Sequence, residues 1–572
     1  MQTFEGRKIN QNLPLSEYPT PQFRRDSYLC LNGKWDFRLI RKNGNVAYDG
    51  DILVPFAVEW NASRVELPVY PGDKMVYSRK FRLPEGFRQK RVLLHFEAVD
   101  QIADVYLNGI HIAHHEGGYL PFTVDCMELS QGENQIVVEV TDDTSSPIYP
   151  RGKQFLKPKG LWYTATSGIW GTVWLESVPT QVIQSLTIRP RFDEKEVEIA
   201  VQFEGKMTSS SVRVLFGGRV VGEGALGEDF KTIIPLSVFR PWSTERPDLY
   251  DVEIMVNYDK VHSYFGMRKF SMVEKDGHKV FALNNQPLFL SGVLDQGYFP
   301  ESGLTPPTDQ AMVDDIVAMK DLGFNMLRKH IKIEPMRWYY HCDRLGMIVN
   351  QDMVNGGSKY KQILIYAAPF LPIHFDDTKS YKTLGRGKKE SRAFFEAELP
   401  EAIKRLRNCP CIAIWTLFNE GWGQFDSVRL TNTLRELDPT RLIDSTSGWY
   451  DQGAGDFLSR HVYMKKIKLK PSSDRMLALT EFGGYSWRLD DHAYAAKNFG
   501  YATVKDQKDL EARIAKLFRK QVIPAKAQGL CMTVYTQLCD VEGETNGLLT
   551  YDRKVTKVSQ KLMVALNGEL KA

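Results

Sequence analysis

Two glutamates each follow a short apolar run of the chain. Asn419-Glu420 follows residues 411–418, CIAIWTLF, and Glu481 follows residues 477–480, LALT. If both runs are strands that end at the same edge of a parallel sheet, the two carboxyl groups meet over one cleft. Two such groups can cleave an acetal, because one protonates the leaving oxygen while the other meets the anomeric carbon. A gap of about 5–5.5 Å predicts retention of configuration, and a wider gap that admits a water predicts inversion.

A single glutamate after a strand has a plain structural explanation. It caps the next helix or pairs with an arginine. Here two glutamates occur in equivalent positions, and each is followed closely by glycine, at Gly421 and Gly483. The repeated pattern favours a chemical role for both.

The elements that would position these glutamates follow from residues 271–572, where apolar strand-like runs alternate with helical patterns. Thr308 is a candidate N-cap and Gly323 ends the first helix. The pattern is weakest for the sixth strand and its helix, and residues 353–390 form too long a connection for anything but a candidate active-site loop. The candidate strands are 288–293, 324–328, 347–352, 412–418, 441–446, 458–463, 477–482 and 530–536, and the candidate helices are 308–323, 335–345, 391–407, 426–437 and 506–521.

Eight strands interleaved with helices predict a (β/α)₈ TIM barrel, in which reactive groups lie at the C-terminal ends of strands. Glu420 and Glu481 then end strands four and seven, on opposite sides of the barrel mouth.

The chain that precedes the predicted barrel has a different pattern. Residues 1–178 contain short alternating segments such as 91–96, 103–107 and 135–140, with turn signals at Asn108-Gly109 and Gly117-Gly118. They predict an antiparallel β-sandwich, and residues 179–270 predict a second, smaller one of immunoglobulin type.

Composition excludes several classes of protein. The 572 residues are 43% hydrophobic and 25% charged, which is typical of globular proteins and excludes general disorder. The net charge of +4 is too small to indicate a basic surface that binds nucleic acid. No apolar run is long enough to predict a membrane span, and the first residues do not resemble a secretory signal. Seven scattered cysteines favour a reducing compartment, so a cytoplasmic location is expected.

The sequence resembles glycoside hydrolase family 2, the family of β-galactosidases, β-glucuronidases and β-mannosidases. Asn419-Glu420 after an apolar strand and Thr480-Glu481-Phe482-Gly483 carry the resemblance. Residues 32–37, 105–109 and 167–171 are similar to the family's sugar-binding jelly roll, and residues 289–293 and 323–328 to its first two barrel strands. The resemblance covers nearly the whole chain. It implies a jelly-roll β-sandwich at 1–178, an immunoglobulin-like β-sandwich at 179–270 and a catalytic TIM barrel at 271–572.

The resemblance also implies roles for individual residues. Glu420 would be the general acid and then the base, and Glu481 the nucleophile that forms a glycosyl-enzyme. Asn419 matches the asparagine that hydrogen-bonds the sugar 2-hydroxyl. Arg328, at the end of strand two, matches the arginine that keeps the nucleophile ionised.

Three aromatic residues are candidates for substrate binding, although core packing is an equally open reading. Tyr463 matches a tyrosine near the nucleophile. Tyr535 stands in place of the tryptophan usual at the end of strand eight. Trp487, a few residues after Glu481, is the third candidate.

The run after strand two departs from the family pattern. His330 is shifted by one position from the family's sugar-binding histidine, and Lys329 and Lys332 add positive charge, with Arg337 soon after. These cations would bind the carboxylate of an anionic sugar at the cleft rim. The alternative is a solvated basic loop.

A second departure bears on the choice of sugar. β-Glucuronidases of the family read the sugar carboxylate with an Asn-x-Lys pair, where this chain has Glu544 and Asn546. A glutamate there would repel a uronate, which disfavours an ordinary β-glucuronidase.

Asp295 and Asp352 are candidates to hydrogen-bond ring hydroxyls. Asp352 aligns with a magnesium ligand of some β-galactosidases, but the partner histidine is missing, so no metal or other cofactor is expected.

The sequence therefore predicts a retaining exo-β-glycosidase that removes a terminal β-linked galacto-configured sugar, from a β-galacturonide or a β-galactoside, by double displacement. The alternatives are a β-glucuronidase or another family 2 glycosidase, and a non-catalytic carbohydrate-binding protein on a glycosidase scaffold. The expected partner is a carbohydrate rather than nucleic acid or a membrane. A homo-oligomer is possible.

Overall fold

The computed structural model describes residues 1–87, 90–127, 129–359 and 374–572. The predicted active-site loop at 353–390 therefore lies partly outside the described residues, which omit 360–373.

The N-terminal part of the chain is a β-sandwich of two facing sheets. Gly33–Ile40 shows why it folds this way: Trp35, Phe37 and Leu39 are buried while the residues between them are exposed. Alternate side chains point to opposite faces of a strand, so each sheet contributes one apolar face to the core. In hydrogen-bonded order the sheets are Val46–Val54, Gly33–Ile40, Lys74–Phe81, Asn134–Thr141, Ile102–Leu107 and Ile110–Glu116, and Leu29–Cys30, Val173–Val178, Arg91–Phe96 and Phe122–Asp125.

A second, smaller sandwich follows and encloses its own apolar core. Both sandwiches confirm the predicted fold class. The chain limits chosen for them at residues 178 and 270 stay a prediction. The two sheets of this sandwich are Val182–Arg191, Glu196–Glu204 and Lys231–Pro235, and Arg219–Gly224, Ser210–Phe216, Tyr250–Val256 and Asp259–Phe265. A three-stranded unit of Phe270–Lys275, His278–Leu283 and Gln286–Pro287 leads from it into the barrel.

Eight parallel strands form the barrel, and each corresponds to a strand predicted from the sequence. Their hydrogen-bonded order is 5-4-3-2-1-8-7-6. No hydrogen-bonded ladder joins the fifth and sixth strands in the described part of the chain, so the barrel is nearly closed. The strands are β1 Leu290–Asp295, β2 Met326–Lys329, β3 Ile348–Asp352, β4 Ile412–Asn419, β5 Leu442–Ser447, β6 Phe457–Val462, β7 Met476–Gly483 and β8 Leu530–Thr536.

Helices surround the barrel largely as expected. Thr308 caps the first helix by accepting a hydrogen bond from the Ala311 amide. The connection after β6, residues 463–475, contains no helix. Its lysines alternate with Ile467 and Leu469, so it has no apolar face of helical period. A C-terminal helix that the sequence pattern did not indicate packs on β1. The helices are α1 Asp309–Asp321, α2 Met336–Leu345, α3 Lys389–Leu406, α4 Ser427–Leu437, α5 Gln507–Leu517 and α6 Gln560–Lys571.

None of the described helices combines the length and the apolar character needed to cross a lipid bilayer.

Arg25, from the N-terminal arm, ties the two sandwiches together. Its guanidinium makes a bidentate contact with Asp259 of the second sandwich, at 2.8 Å for each bond, and a 2.8 Å bond to Glu176 of the first. It also donates to the Ile183 carbonyl oxygen. All three charged side chains are at most 4% exposed, so each charge depends on the others for compensation.

Arg25→Ala should therefore lower stability by about 3–5 kcal/mol, because it leaves the buried Asp259 without its cation and Glu176 with His95 as its remaining basic partner. Thermal unfolding followed by circular dichroism would measure the change. Arg38→Ala is the matched control, since its ion pair with Asp49 is more than half exposed and should contribute at most about 1 kcal/mol. Equal melting temperatures for the two variants would contradict this role of Arg25.

Candidate active site

The two predicted glutamates lie at the barrel mouth, at the ends of β4 and β7. Glu420 directly follows the last residue of β4, and its backbone has the left-handed conformation, with φ of +52°. Its amide donates to the Ser447 carbonyl oxygen at the end of β5, at 2.9 Å. A left-handed non-glycine residue costs about 1 kcal/mol or more, and such strain is concentrated at functional sites.

His461 of β6 brings the two carboxyl groups together. Its Nδ1 lies 2.8 Å from Glu420 Oε1 and 3.5 Å from Glu481 Oε2. One ring nitrogen and one oxygen of each glutamate all lie within 4.8 Å of one another. His461 was not among the site residues predicted from the sequence. In the predicted strand 458–463 it stands two residues before Tyr463, which would put both side chains on the same face, and this is the signal that could have identified it.

Arg328 is the fully buried cation beneath this pair. Its Nη1 donates to Glu481 Oε1 at 3.2 Å, and its Nη2 donates to Asn419 Oδ1 at 2.8 Å. Nε and Nη2 also form a bidentate contact with Asp352, at 3.0 and 3.1 Å. The predicted proximity of Arg328 and Asn419 to Glu481 is therefore present in the structure. Their catalytic roles stay a prediction.

Tyr463 supplies a second hydrogen bond to Glu481. Its hydroxyl donates to Oε2 at 2.6 Å and lies 2.8 Å from the Thr536 hydroxyl. Because a phenol has one proton and the carboxylate accepts it, Thr536 donates to Tyr463. The Tyr463 ring stacks on Tyr501 with centroids 3.7 Å apart, which fixes the orientation of the hydroxyl.

The environment distinguishes the two glutamates. Burial raises the pKa of both carboxyl groups. For Glu481 this effect is opposed by the Arg328 charge and the Tyr463 hydrogen bond, whereas a charge on the nearby Glu420 raises the pKa further. For Glu420 it is opposed by the charges of Lys153 and Arg328. Glu481 accepts hydrogen bonds from the Arg328 guanidinium and the Tyr463 hydroxyl, and both stabilise its negative charge.

His461 is neutral near pH 7, because burial lowers its pKa to about 4. Its Nε2 faces the Ser447 hydroxyl at 3.1 Å and the Arg328 guanidinium at 3.5 Å. Arginine can only donate, so Nε2 is assigned as the acceptor and Nδ1 carries the proton. His461 therefore donates to the Glu420 carboxyl group and fixes its position.

The cations expected at the cleft rim lie elsewhere, so that prediction is wrong. Lys329 and Lys332 are at most 2% exposed. Lys329 pairs with Asp295 at 2.6 Å and with Glu334 at 2.7 Å, and Lys332 pairs with Glu334 at 2.8 Å. The four side chains form a neutral buried cluster. Lys329 follows the inward-facing Arg328 on β2 and consequently points outward, over the Trp338 ring of α2.

Arg337 is also outside the mouth. It lies on α2 and makes a bidentate ion pair with Asp309 of α1, with one bond of 2.8 Å. Burial lowers its pKa, but the hydrogen bonds to Asp309 raise it above the usual value overall. This contact joins two helices of the outer layer, and no carboxylate of a bound sugar is needed to explain it.

Asp295, Asp352 and His330 also have protein partners. Asp295 accepts from Lys329 and from the Gly297 amide. Both Asp352 oxygens are bonded to Arg328, and Oδ2 also contacts His330 Nδ1 at 2.9 Å. Burial lowers the pKa of His330 to about 3, so its ring is neutral. The structure therefore corrects the direct sugar-binding role expected of Asp295 and Asp352 to a supporting one.

The other two aromatic candidates lie outside the mouth. Tyr535 is 1% exposed and packs against Phe482 and Phe518, so it points toward the helices. Its neighbour Thr536 is the inward residue. Trp487 packs half-buried against the barrel core, and its backbone amide donates to the Thr545 carbonyl oxygen. Within the described chain, neither the Trp487 indole nor the Tyr535 phenol has a hydrogen bond to Glu420 or Glu481.

Glu544, which was expected to repel a uronate, points toward the first sandwich instead. It accepts a 2.5 Å hydrogen bond from the Tyr163 hydroxyl and one from the Asn546 side chain at 3.0 Å. The side chain is buried and bonded to protein groups, so the predicted repulsion of a bound uronate by Glu544 has no structural support.

Among the described residues, only Glu420, His461 and Glu481 form a group that could hold a metal ion. The magnesium site suggested by the Asp352 alignment does not fit this structure. Arg328 occupies both oxygens of Asp352, and its positive charge opposes a cation there.

The two sandwiches, the parallel barrel and the paired glutamates at its mouth define a class of multidomain TIM-barrel proteins. Two family models agree with it. "Glycosyl hydrolases family 2, TIM barrel domain" matches residues 273–472, and "Glycosyl hydrolase 2 galactose-binding domain-like" matches residues 58–153. The chain belongs to glycosyl hydrolase family 2.

Curated relatives include a β-galactosidase of Leuconostoc mesenteroides, 26% identical over 75% of this chain and 43% of the relative. Another is a β-galactosidase of Thermoanaerobacterium thermosulfurigenes, 24% identical over 72% of this chain and 57% of the relative. The chain thus spans about half the length of these relatives.

Solved structures match over almost the full length. A β-galacturonidase from Eisenbergiella tayi is 19% identical with a TM-score of 0.73, covering 97% of this chain and 98% of that one. A β-glucuronidase from Ruminococcus gnavus is 18% identical with a TM-score of 0.75, covering 97% and 99%. These likenesses show a shared fold.

The buried lysine cluster gives a stability prediction. Lys329→Met leaves Asp295 and Glu334 with only Lys332, and should lower stability by about 3–5 kcal/mol, as expected when one member of a buried ion pair is removed. Urea unfolding would measure the loss. Lys34→Met, which removes the exposed partner of Asp51, should change stability by less than about 1 kcal/mol. A fully stable Lys329→Met variant would show that the cluster is not structural.

Proposed function

We propose that this chain is a retaining exo-β-glycosidase with Glu481 as the nucleophile and Glu420 as the general acid and base. The observation that carries the proposal is the approach of the two carboxyl groups, whose oxygens lie within 4.8 Å of each other at the mouth of the barrel. That approach favours the spacing of a retaining pair, in which no water fits between the second carboxylate and the anomeric carbon.

The contacts support this division of roles. Glu481 receives hydrogen bonds from Arg328 and Tyr463, which stabilise its carboxylate. The Glu420 side chain is 14% exposed and reaches toward the opening. Two carboxylates this close do not both ionise readily, so one proton is retained and Glu420 is the side chain that holds it.

The reaction would run in two steps. Glu481 attacks the anomeric carbon while the proton of Glu420 passes to the glycosidic oxygen, and the leaving group departs as a neutral alcohol. Glu420, now ionised, takes a proton from water as the water oxygen attacks the same carbon. The bond to Glu481 breaks, and the sugar leaves with its original configuration.

The substrate we propose is a terminal β-linked galacto-configured sugar, as a β-galactoside or a β-galacturonide. The names of the curated relatives support galactosides, and the similar structures include both a β-galacturonidase and β-glucuronidases. The internal pairing of Glu544 removes the reason for disfavouring a β-glucuronide, which stays the alternative. The cytoplasmic location and the possible homo-oligomer stay predictions.

Glu420→Gln and Glu481→Gln should each fold normally and lose activity by at least about 10²–10⁴-fold, because the first removes the transferable proton and the second the nucleophile. Release of nitrophenol from nitrophenyl β-glycosides measures the rate. Glu396→Gln, which changes a glutamate of α3 that pairs with Arg429, is the control. Proton NMR of the first turnovers should show the β-anomer before mutarotation.

Azide then distinguishes the two roles. With Glu481→Gly, azide should enter from the vacated face and give the α-glycosyl azide. With Glu420→Gly, it should attack the glycosyl-enzyme and give the β-product. Near-normal rates in either glutamine variant, or an α-anomer as the first product of the wild type, would reject the assignment.

Tyr463→Phe should move the acidic limb of the kcat/KM profile to higher pH. The phenol stabilises the ionised form of Glu481, so its loss raises the pKa of the nucleophile and delays ionisation as the pH rises. Tyr48→Phe in the first sandwich is the control, because it removes a similar hydroxyl far from the barrel. An unchanged acidic limb would mean that Tyr463 does not control the ionisation of Glu481.

A further inference from the structure

A loop of the first sandwich, residues 151–162, reaches the mouth of the barrel. The amides of Arg151 and Gly152 both donate to the Asn355 carbonyl oxygen just after β3, at 3.0 and 2.9 Å. Gly152 has φ of +61°, and a Cβ at this position would lie 2.8 Å from the Ile331 carbonyl oxygen after β2. Only glycine permits this approach. The loop is therefore held against the barrel at the residue before Lys153.

Lys153 is the cation that this loop carries to the site. Its carbonyl oxygen accepts from the Tyr163 amide at 3.0 Å, and its ammonium lies 5.4 Å from the centre of the Trp162 ring. The side chain is half-buried. Its charge acts on three groups of the mouth. Burial lowers the pKa of His461 and of His330, and the Lys153 charge lowers both further. Burial raises the pKa of Glu420, and the Lys153 charge opposes that rise.

Lys153 has no ion pair with any carboxylate of the described chain, in contrast to the buried Lys329 and Lys332. The stretch 360–373, outside the described residues, contains no aspartate or glutamate in its sequence. A half-buried ammonium costs free energy unless an anion compensates it. Within the described residues no carboxylate forms an ion pair with Lys153, so the anion of a bound ligand would supply the direct contact that this ammonium lacks.

The position of Lys153 relative to the glutamates indicates which part of a ligand it meets. The half-buried Trp162 makes an edge contact with Trp422, with centroids 5.3 Å apart, and Trp422 follows Glu420 by two residues. The Arg151 guanidinium covers the Trp422 ring from 5.3 Å. Lys153 and Trp162 thus lie on the side of the general acid, from which the leaving group departs.

We propose that Lys153 and Trp162 form a subsite for the leaving group that selects an acidic sugar, with its carboxylate or sulfate bound by the Lys153 ammonium. Trp162 supplies the apolar surface for the sugar ring, as aromatic side chains do in such sites. Lys157 and Lys159, exposed on the same loop, add positive potential that attracts an anionic chain end. This subsite rests on the proposed function, because it assigns the leaving-group side from Glu420.

The test compares two disaccharides with the same non-reducing sugar, one with a uronic acid as the leaving group and one with the neutral hexose. Lys153→Ala should lower kcat/KM for the acidic disaccharide about 10–100-fold, mainly through KM, because a charge-assisted hydrogen bond is lost. The neutral disaccharide should change by less than about threefold. Lys153→Arg should restore most of the preference. Lys80→Ala, which removes an exposed lysine of the first sandwich that pairs with Glu133, is the control. A sulfated leaving sugar tested alongside distinguishes sulfate from carboxylate.

Equal losses on the acidic and the neutral disaccharide would overturn the proposal, because Lys153 would then act only through Glu420 or the loop. No loss on either would overturn it as well. Calorimetric titration with the free uronic acid gives a second measurement that needs no turnover, and binding should be lost in Lys153→Ala. An inactive wild type that still binds the acid through Lys153 would reject the proposed reaction but retain the subsite.

Discussion

The buried guanidinium of Arg328 is the interaction on which the rest of the site depends. It contacts Glu481, Asn419 and Asp352, so side chains from β2, β3, β4 and β7 share one cation. A fully buried charge is tolerated only when its donors are satisfied, which means that these four strands must keep their register for the centre to exist. The barrel strands consequently hold one positive charge beneath the two carboxyl groups. His461, from β6, and Tyr463, directly after this strand, then orient the two carboxyl groups.

Much of this arrangement could be predicted from the sequence. Seven of the eight strands are buried along their whole length, β6 alternates between buried and half-buried residues, and all eight were located within a few residues. Glu420 and Glu481 were identified because polar residues directly after such runs must lie at the edge of the sheet. The helix expected after β6 is absent, since the lysine-rich connection alternates at a period of two and cannot form an apolar helical face.

The errors concern side-chain direction rather than strand position. Lys329 and Tyr535 each adjoin an inward residue on a barrel strand, Arg328 and Thr536, and therefore face the helices. Strict alternation would have excluded both from the mouth and would have paired His461 with Tyr463. The partners of Lys332 and Arg337 could not be predicted from strand alternation. Glu334 lies in a loop and Asp309 in a helix, and their distance from these cations depends on the tertiary fold. Lys153 was missed for a similar reason: nothing in the sequence of the first sandwich indicates that one of its loops reaches the barrel.

The loop at residues 151–162 joins the first sandwich to the barrel at the point where a ligand must enter. Its backbone is fastened to the turn after β3, and Tyr163 beside it is bonded to Glu544 beyond β8, so the sandwich meets the opening along two of its borders. The walls of the cleft therefore come from two modules, the first sandwich and the barrel. Insertions or exchanges in the sandwich can reshape the entrance while the strand ends that carry the acidic pair stay unaltered, which gives one scaffold a route to new ligands without rebuilding its chemistry.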